Sequence, residues 1–303
     1  MELGIQSRGS WEAVQQTALW VEENGLAAMA VPDHYLNRGG RSAPAHDQPT
    51  LLAALAVVTD RVDLVSLVSP VTFRHPAVYY KIGVTIDEIS GGRFRLGLGA
   101  GWMDDEFAAF GIPYPPLTER MAMLEEAMAY LRAAITPGES GFEGMYYRLE
   151  EFDPHPHPTD LRLVMGGEGK RLSRSIAVRY ADEYNLTITD PDRYRRVRDQ
   201  TREELVETGR GADALTWTSL GPGLAAEKES DYRRLLEHMA QVTGQTTERI
   251  EEVYRSRSIP HGSGSQAREM LAELAEAGCE RYYLQVFGLG PTELETLVEA
   301  YQG

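Results

Sequence analysis

A short strand between two groups of glycines, within residues 91–101, limits the fold more than any other part of the chain. Residues 82–89 are predicted to end a helix, because the glycines that follow can adopt the positive φ values that stop one: Gly91 and Gly92. Residues 94–98 then predict a short buried strand. Its far end lacks side chains, so that a bulky group can approach the backbone, at Gly97, Gly99 and Gly101. This is one unit of a parallel α/β fold, in which ligands bind at the carboxyl ends of strands.

The same alternation of strand and helix recurs along the whole chain. The predicted strands are residues 3–6, 26–31, 62–69, 94–98, 161–165, 183–188, 214–220 and 281–287. Eight strands separated by helices favour a (β/α)₈ TIM barrel over an open doubly wound sheet. A barrel of this kind needs roughly 250 residues, and the chain has 303. We therefore predict one domain over residues 1–303, with room for an insertion.

Capping residues and apolar spacing predict where helices begin and end. Ser10 is a predicted N-cap, Asn24-Gly25 a predicted helix end, and Pro76 and Asp190-Pro191 predicted helix starts. Thr292-x-x-Glu295 predicts a capping box for the last helix. That helix is predicted to bury Leu294, Leu297, Val298 and Tyr301. Residues 138–158 break the pattern with Gly, Pro, His and aromatic residues, which indicates a hairpin or excursion inserted after the fourth strand unit.

Composition excludes several functional classes. A net charge of −16 argues against binding nucleic acids or anionic membrane surfaces. The most apolar run, residues 64–73, is half the length of a membrane span. Charged residues near the N-terminus are unlike a signal-peptide core: Glu2, Arg8 and Glu12. The single cysteine, Cys279, cannot form an internal disulfide, so we expect a cytoplasmic protein, and a structural role is commoner for such a residue than nucleophilic catalysis.

Two glycine-rich turns compete for a phosphate group. The turn at residues 97–101 leads into three carboxylates that would repel a phosphate at a helix start: Asp104, Asp105 and Glu106. The turn at residues 166–171 follows a strand, opens a helix and carries cations: Lys170 and Arg171, with Arg174 beyond them. Free N–H groups at that helix start favour an anion there. A plain tight turn is the alternative, and Glu168 suits the phosphate least.

Histidine supplies the candidate proton-transfer group. His34 follows a predicted strand and stands beside Asp33, where an imidazole can exchange protons near neutral pH. A structural histidine is the alternative. His155 and His157 alternate with prolines, but no third ligand is evident, so we predict loop residues and no metal site. Arg74 in Arg74-His75-Pro76 is interpreted as an anchor of a helix start, with ligand contact as the minor alternative.

Several motifs, in order along nearly the whole chain, resemble the bacterial luciferase-like monooxygenase superfamily, with most similarity to its branch that depends on the deazaflavin coenzyme F420. The motifs are Val31-Pro-Asp-His34, Pro70-Val-Thr-Phe-Arg-His-Pro76, Ser90-Gly-Gly-Arg-Phe-Arg-Leu-Gly-Leu-Gly-Ala-Gly-Trp102, Phe110-Gly-Ile-Pro-Tyr-Pro115, Gly166-Gly-Glu-Gly-Lys-Arg171 and Tyr180-Ala-Asp-Glu-Tyr184. The resemblance implies a barrel enzyme, usually a homodimer, that binds a flavin or deazaflavin at the carboxyl ends of its strands.

The resemblance also assigns roles to residues of this chain. It implies that Asp33 and His34 are catalytic and face the cofactor ring and substrate. It implies a bulge at Ser66-Leu67 behind the ring, which in similar proteins contains a non-prolyl cis peptide. Contacts to the ring or its ribityl chain are implied for Ser69, Gly99, Ala100, Gly101, Trp102 and Met103. The phosphate would be held by Gly166, Gly167, Glu168 and Gly169.

Two positions depart from the pattern. Similar enzymes that oxidise sugar phosphates have a carboxylate where Trp102 stands, and many relatives have Asn in place of Met103. The missing acid argues against sugar-phosphate oxidation and indicates a more apolar pocket floor. It also motivates one alternative, a non-catalytic homologue that only binds the cofactor.

The sequence therefore predicts an oxidoreductase that transfers a hydride between F420 and a small organic substrate, with reduction of an unsaturated or carbonyl compound as the expected direction. An FMN-dependent monooxygenase is the alternative enzyme. The F420 tail carries several glutamates and needs basic residues at the pocket rim, for which the candidates are Arg38, Arg41, Lys170 and Arg171.

Overall fold

The computed structural model describes residues 1–36, 45–138 and 140–303 of the chain. The strands in these ranges are β1 (Glu2–Gln6), β2 (Ala28–Val31), β3 (Asp63–Ser66), β4 (Ser69–Pro70), β5 (Phe94–Gly99), β6 (Ser140–Glu143), β7 (Arg148–Phe152), β8 (Arg162–Gly167), β9 (Glu183–Leu186), β10 (Thr216–Pro222), β11 (Leu224–Ala226), β12 (His261–Ser263) and β13 (Arg281–Gln285). The helices are α1 (Trp11–Glu23), α2 (Gln48–Val58), α3 (Pro76–Ser90), α4 (Asp104–Phe110), α5 (Leu117–Ile135), α6 (Arg171–Tyr180), α7 (Pro191–Glu207), α8 (Glu229–Thr243), α9 (Thr247–Ser256), α10 (Gly264–Glu276) and α11 (Pro291–Gln302).

Eight parallel strands close into a barrel. Their order around the sheet is β3-β2-β1-β13-β10-β9-β8-β5, and β5 pairs with β3 to complete the ring, with Leu64 opposite Phe94. Helices connect successive strands, as parallel pairing requires. The predicted (β/α)₈ TIM barrel is therefore confirmed. The alternation of strands and helices expected from the sequence is present. Two further strand pairs, β6–β7 and β11–β12, form separate small sheets.

Apolar side chains pack in two layers. The larger cluster fills the space between the barrel and its helices, and includes Leu52, Val84, Leu131 and Leu297. The smaller cluster fills the barrel interior: Ala28, Ala30, Val65, Leu67, Val164 and Tyr283. Burying one large apolar side chain of this kind contributes roughly 1.5–3 kcal/mol relative to leaving it exposed.

The third barrel strand is shorter than predicted, because a bulge interrupts it. Residues 62–69 were predicted as one strand, but β3 ends at Ser66 and β4 begins at Ser69. A non-prolyl cis peptide joins Leu67 and Val68, one bond later than the predicted bulge at Ser66-Leu67. The short strand β4 pairs with β5, and Ser69 lies opposite Leu98. The bulge thus carries the chain across the barrel mouth toward β5.

The glycines of β5 and β8 make room for that bulge. A Cβ atom on Gly97 would lie 2.0 Å from the carbonyl oxygen of Ser66. On Gly99 or Gly166 it would lie 2.8 Å from Cγ2 of Val68. The sequence predicted that a bulky group approaches this backbone, and the structure identifies the group as the chain's own Val68.

The excursion over residues 138–158 contains an antiparallel hairpin, β6–β7, placed between β5 and β8 in the chain. This confirms the hairpin predicted after the fourth strand unit. The segment after the hairpin is fastened to α3, where the hydroxyl of Tyr80 donates to the carbonyl oxygens of Pro154 and Pro156 at 2.9 Å each. Asp87, at the end of α3, accepts a hydrogen bond from the backbone N–H of Asp160 at 3.2 Å.

Most predicted helix ends are confirmed, and one is wrong. Ser10 and Asp190 cap α1 and α7 with side-chain hydrogen bonds. The capping box predicted at Thr292 is absent, because α11 begins two residues earlier than predicted, at Pro291, with Gly290 as its N-cap. Proline suits a first helical position, so Thr292 falls inside the first turn. The predicted apolar side of α11 is confirmed as buried. Within the described ranges, no helix combines the length and the apolarity that crossing a membrane requires.

Candidate active site at the barrel mouth

Asp33 forms a buried ion pair just beyond the carboxyl end of β2. Its side chain is completely buried, Ser69 Oγ lies 2.8 Å from Oδ2, and the guanidinium of Arg74 contacts the same oxygen. Burial raises the pKa of the Asp33 carboxyl, and Arg74 and Ser69 oppose the rise without cancelling it. Burial also disfavours the charged guanidinium, yet the neighbouring carboxylate raises the pKa of Arg74 above its ordinary value. The pair fixes the backbone directly before His34.

A second set of polar groups holds the bulge. Gln48, the buried first residue of α2, presents Oε1 to the hydroxyls of Ser66 and Ser69, each at 2.8 Å. Its amide nitrogen donates to the carbonyl oxygen of Val31. From the other side, Gln6 Nε2 donates to the carbonyl oxygen of Leu67 at 2.6 Å. The bulge is therefore held by side chains from two other elements, α2 and β1.

His34 and Glu106 form an imidazole–carboxylate pair at the mouth. Nδ1 of His34 lies 3.1 Å from Oε1 of Glu106, whose side chain is buried at the start of α4. The backbone N–H of Tyr35 donates to Oε2 of the same carboxylate at 2.9 Å. A carboxylate at Nδ1 favours the tautomer with its proton on that atom, which leaves Nε2 as an acceptor. In the described part of the chain Nε2 makes no hydrogen bond, and 17% of the side chain is exposed.

Aromatic rings surround this pair on one side. The ring of Trp102 meets that of His34 edge to face, with centroids 5.5 Å apart. Tyr35 stacks on Phe73 with centroids 4.2 Å apart, and Phe107 lies 5.0 Å from Phe73. Rings of this kind present flat apolar surface to a ligand and limit the access of water. The wall thus suits a planar or apolar molecule beside the imidazole.

The turn after β8 has the features of an anion site. The first turn of α6 contains no acidic residue, and its N-cap, Lys170, makes no side-chain hydrogen bond to the helix, so the first N–H groups remain available. Gly169 has φ of +71° and lies against Val197, which shapes the turn. Glu168 and Lys170 form an exposed ion pair at 2.7 Å. Lys170 thus neutralises Glu168, the carboxylate in this turn that would otherwise repel a phosphate.

The turn after β5 lacks those features, as the sequence predicted. The first turn of α4 contains three acidic residues: Asp104, Asp105 and Glu106. Arg120 holds this turn by donating to the carbonyl oxygens of Ala100 and Gly101 at 3.1 and 2.8 Å. A cleft of about 380 Å³ next to β11 also disfavours phosphate, because it is lined by three carboxylates: Glu227, Glu229 and Glu251. The start of α6 is the most suitable of these three places for an anion.

The structure brings most of the predicted site residues to one face of the barrel, at different depths. His34 and Trp102 reach the surface of the mouth, whereas the side chains beneath them are buried: Asp33, Ser66, Leu67, Ser69 and Met103. Gly99, Ala100 and Gly101 form the turn held by Arg120, and Gly166, Gly167, Glu168 and Gly169 form the turn before α6. Arg38 and Arg41, predicted for the cofactor tail, lie outside the described residues, and Lys170 and Arg171 lie exposed at the start of α6.

Three residues of the site were not predicted as such. Glu106 was interpreted only as part of an acidic run, although it follows buried Met103 by three residues and so shares its side of α4. Arg74 was interpreted as an anchor of a helix start, and it is instead the partner of Asp33. Gln48 gave no signal beyond its position in a helix. In each case the partner is distant in sequence, which spacing does not reveal.

The fold and the site together define a class of protein, a TIM barrel with an imidazole–carboxylate pair and a helix start free of acidic residues at the carboxyl ends of its strands. A family model described as luciferase-like monooxygenase matches residues 2–289. The chain therefore belongs to the luciferase-like monooxygenase family, a family of oxidoreductases, and the resemblance found in the sequence is confirmed at that level.

Individual relatives are more distant. Over 168 residues the chain is 31% identical to the pyrimidine monooxygenase RutA of Caulobacter sp. (strain K31), which covers 53% of this chain and 46% of that protein. The chain thus spans about half the length of the curated relatives it matches. Among solved structures, monooxygenase RslO1 of Streptomyces bottropensis has a TM-score of 0.82 at 20% identity, covering 99% and 97% of the two chains.

An F420-dependent enzyme has a similar fold. The coenzyme F420 dependent tetrahydromethanopterin reductase of Methanopyrus kandleri has a TM-score of 0.77 at 17% identity, covering 99% of each chain. At this identity the two structural likenesses show the fold alone.

Proposed function

We propose that this chain is an FMN-dependent monooxygenase that acts on a small organic molecule. The observation that carries the proposal is the pair of His34 and Glu106 at the mouth, with the imidazole Nε2 open beside an aromatic wall. The relatedness to RutA supports FMN and makes pyrimidines the first substrates to test. A homodimer, which the family resemblance implies, is part of the same proposal.

The residues present fit a flavin-type group. The first turn of α6 would hold the phosphate, and the bulge with Val68 would lie behind the ring. When bound, FMN would supply the redox chemistry, and the protein supplies binding, orientation and proton transfer. The glycines at 99 and 166 bring the backbone of two strands against Val68, so the mouth has a flat apolar floor of the kind a planar ring requires.

The protein's own groups then have distinct roles. His34 would accept or deliver a proton at Nε2, since Glu106 holds the other ring nitrogen as a donor. Asp33 and Arg74 would act through backbone placement, because the Asp33 side chain is completely buried and paired with Arg74. Asp33 is therefore proposed as a positioning residue, in contrast to the catalytic role that the resemblance implied.

Hydride transfer with F420 is the second candidate, and cations beside the phosphate turn favour it. Arg171 is exposed at the first position of α6, and Arg193 reaches the carbonyl oxygen of Glu168 at 3.2 Å. These groups could bind the carboxylates of a glutamate tail. Lys170, the other described candidate, already pairs with Glu168. The described mouth therefore supports a short anionic tail more than a long one.

A direct comparison of cofactor binding tests the proposal. Purified protein is titrated with FMN and with F420, and fluorescence quenching gives the two dissociation constants. We expect FMN to bind at least 10-fold more tightly, and the FMN-loaded protein to consume oxygen with a pyrimidine when reduced flavin is supplied. Tighter binding of F420, with reduction of an unsaturated or carbonyl compound, would replace the first candidate by the second. Binding of neither would contradict both.

Variants of the pair test the role of His34. His34→Ala should lower turnover by about 10²–10⁴-fold, the usual contribution of a general acid or base, with the dissociation constant for FMN unchanged. Glu106→Gln should lower turnover less and alter its pH profile, because the imidazole loses the group that fixes its tautomer. His46→Ala, an exposed histidine before α2, is the matched control. Full turnover in His34→Ala would point to a homologue that binds the cofactor and does not use this residue.

A further inference from the structure

A cluster of two imidazoles and one carboxylate lies on the excursion, away from the barrel mouth. In the segment Asp153-Pro-His-Pro-His157, Nε2 of His155 and Nε2 of His157 each lie 3.3 Å from Oδ2 of Asp153. One ligand atom from each of the three residues lies within 4.8 Å of the others. The sequence predicted no metal here for want of a third ligand, and the structure supplies one in Asp153.

The separations match those around a tetrahedral metal ion. Zinc binds imidazole nitrogen and carboxylate oxygen at about 2.0–2.2 Å, and ligand atoms at such distances stand about 3.3 Å apart in a regular tetrahedron. The two measured separations are 3.3 Å. An ion can therefore enter between these atoms with small side-chain movements. Two imidazoles with one carboxylate form the donor set that zinc shares with other borderline divalent ions.

The backbone of the cluster is held in place from outside. The hydroxyl of Tyr80 binds the carbonyl oxygens of the two prolines, and the amine of Lys81 contacts the carbonyl oxygen of His155. The N–H of Gly138 donates to Oδ1 of Asp153 at 3.1 Å, which leaves Oδ2 facing the histidines. The prolines further restrict the conformations of the unfolded segment. Much of the ordering that a metal site requires is thus already present without the ion.

We propose that Asp153, His155 and His157 bind one zinc ion, with a water molecule in the fourth position. The ion would connect the end of the β6–β7 hairpin to the segment that runs along α3 into β8, and so stabilise the excursion. Its residues lie outside the barrel wall, on contacts with α3 and the end of α5, so the site is structural with respect to the proposed oxidoreductase chemistry. Without zinc, either imidazole can carry a proton instead, and the test distinguishes protonation from zinc binding.

The test uses tag-free, full-length protein freed of metal with a chelator. Zinc is titrated by calorimetry, and cobalt is added to a second sample for its absorption spectrum, which reports tetrahedral coordination. We expect one ion per chain, with affinity lowered at least 10-fold by Asp153→Asn and by His155→Ala. His155 is two-thirds exposed, so its replacement leaves the fold intact. Glu151→Gln, an exposed carboxylate on β7, is the control and should bind like the wild type.

A second readout concerns the excursion itself. Zinc should slow proteolysis within residues 140–158 in the wild type and leave the rate unchanged in His155→Ala. Binding of less than one ion per chain, or binding that survives both substitutions, would overturn the proposal, and in the second case would direct attention to His34 and Glu106 instead. None of these outcomes depends on turnover, so the inference stands or fails separately from the proposed function.

Discussion

The two ends of the barrel hold buried charges in different ways. At the amino end, Arg281 pairs with Asp63 at 3.0 Å and with Glu2 at 2.7 Å. Arg95 also pairs with Asp63, at 3.2 Å. Glu183, buried among them, accepts a hydrogen bond from Thr218 at 2.7 Å. Arg281, Asp63 and Arg95 each have two charged partners, since Arg95 also reaches Asp160 at 3.5 Å, so the loss of one pair leaves each of them partly compensated.

At the carboxyl end the buried carboxylate Asp33 has fewer partners, although Arg74 itself pairs with both Asp33 and the partly exposed Asp47. Arg74 is the cation that contacts Asp33, and within the described residues Asp33 Oδ1 is buried without a hydrogen bond. Nε2 of His34 also stays open there. Polar groups that are left unsatisfied cost stability, and in barrels of this kind catalysis is located at the carboxyl end. The number of partners of each buried charge therefore distinguishes the structural amino end from the carboxyl end, where the candidate site lies.

The largest expected effect on stability comes from removing Arg74, the cation that contacts Asp33. Arg74→Met should lower the free energy of unfolding by about 3–5 kcal/mol at pH 7, because it leaves a buried carboxylate without its cation. Arg281→Met should cost less, since Asp63 keeps Arg95. Denaturant unfolding of both variants measures the difference. Equal losses, or a larger loss for Arg281→Met, would show that redundancy does not distinguish the two ends.

The pH dependence of stability tests the cause of the loss in Arg74→Met. Burial raises the pKa of Asp33, and removing Arg74 raises it further, so the folded variant binds a proton more readily than the unfolded chain. The deficit of Arg74→Met should therefore be widest above that raised pKa and should shrink as the pH falls toward the ordinary value for aspartate. A deficit that is independent of pH would indicate lost packing instead of an uncompensated charge.

The second prediction concerns the floor of the mouth. Gly99→Ala would place a Cβ atom 2.8 Å from Val68 Cγ2, so the bulge must move, and we expect a loss of about 1–3 kcal/mol in unfolding free energy. Gly99→Ala combined with Val68→Ala should recover part of that loss. Gly211→Ala, with nothing within 4 Å of its Cβ position, is the control. If the two substitutions at the mouth are additive, Val68 is not what the glycine accommodates.

Much of this fold could be predicted from the sequence, because its signals are local. Strands such as β5 are short apolar runs bounded by glycine, and the start of α7 follows from Asp190-Pro191. The break between β3 and β4 did not follow from the local pattern, which predicted one strand over residues 62–69, and only the family resemblance implied a bulge there, at Ser66-Leu67. The capping box of α10, Ser263 with Gln266, is a local signal that was not predicted.

The candidate site was predicted less completely, for a physical reason. His34 and Asp33 follow a strand, which placed them at the mouth, but their partners come from other elements: Glu106 is 72 residues from His34, and Arg74 is 41 residues from Asp33. Burial decides which of two adjacent polar residues is a support and which is open to a ligand. That depends on the packing of α3 and α4, which no spacing in the sequence records.

The smallest expected effect is at the amino end, where the charge of Glu183 contributes little to stability. Burial raises the pKa of this carboxyl, and Thr218 and Arg281 only partly oppose the rise. A raised folded-state pKa means that the stabilising contribution is complete below the unfolded pKa, ordinarily 4.5, and is lost as the pH rises through the folded value. Glu183→Gln keeps the oxygen that accepts from Thr218, so we expect a change within about 1 kcal/mol at pH 7.

Unfolding midpoints measured from about pH 4 to about pH 8 test this expectation. The stability of Glu183→Gln relative to the wild type should increase as the pH rises. The stability of the control Glu150→Gln, exposed on β7, should follow that of the wild type. A loss of several kcal/mol at pH 7 would mean that Arg281 depends on this one carboxylate, as Asp33 depends on Arg74, and the contrast between the two ends would disappear.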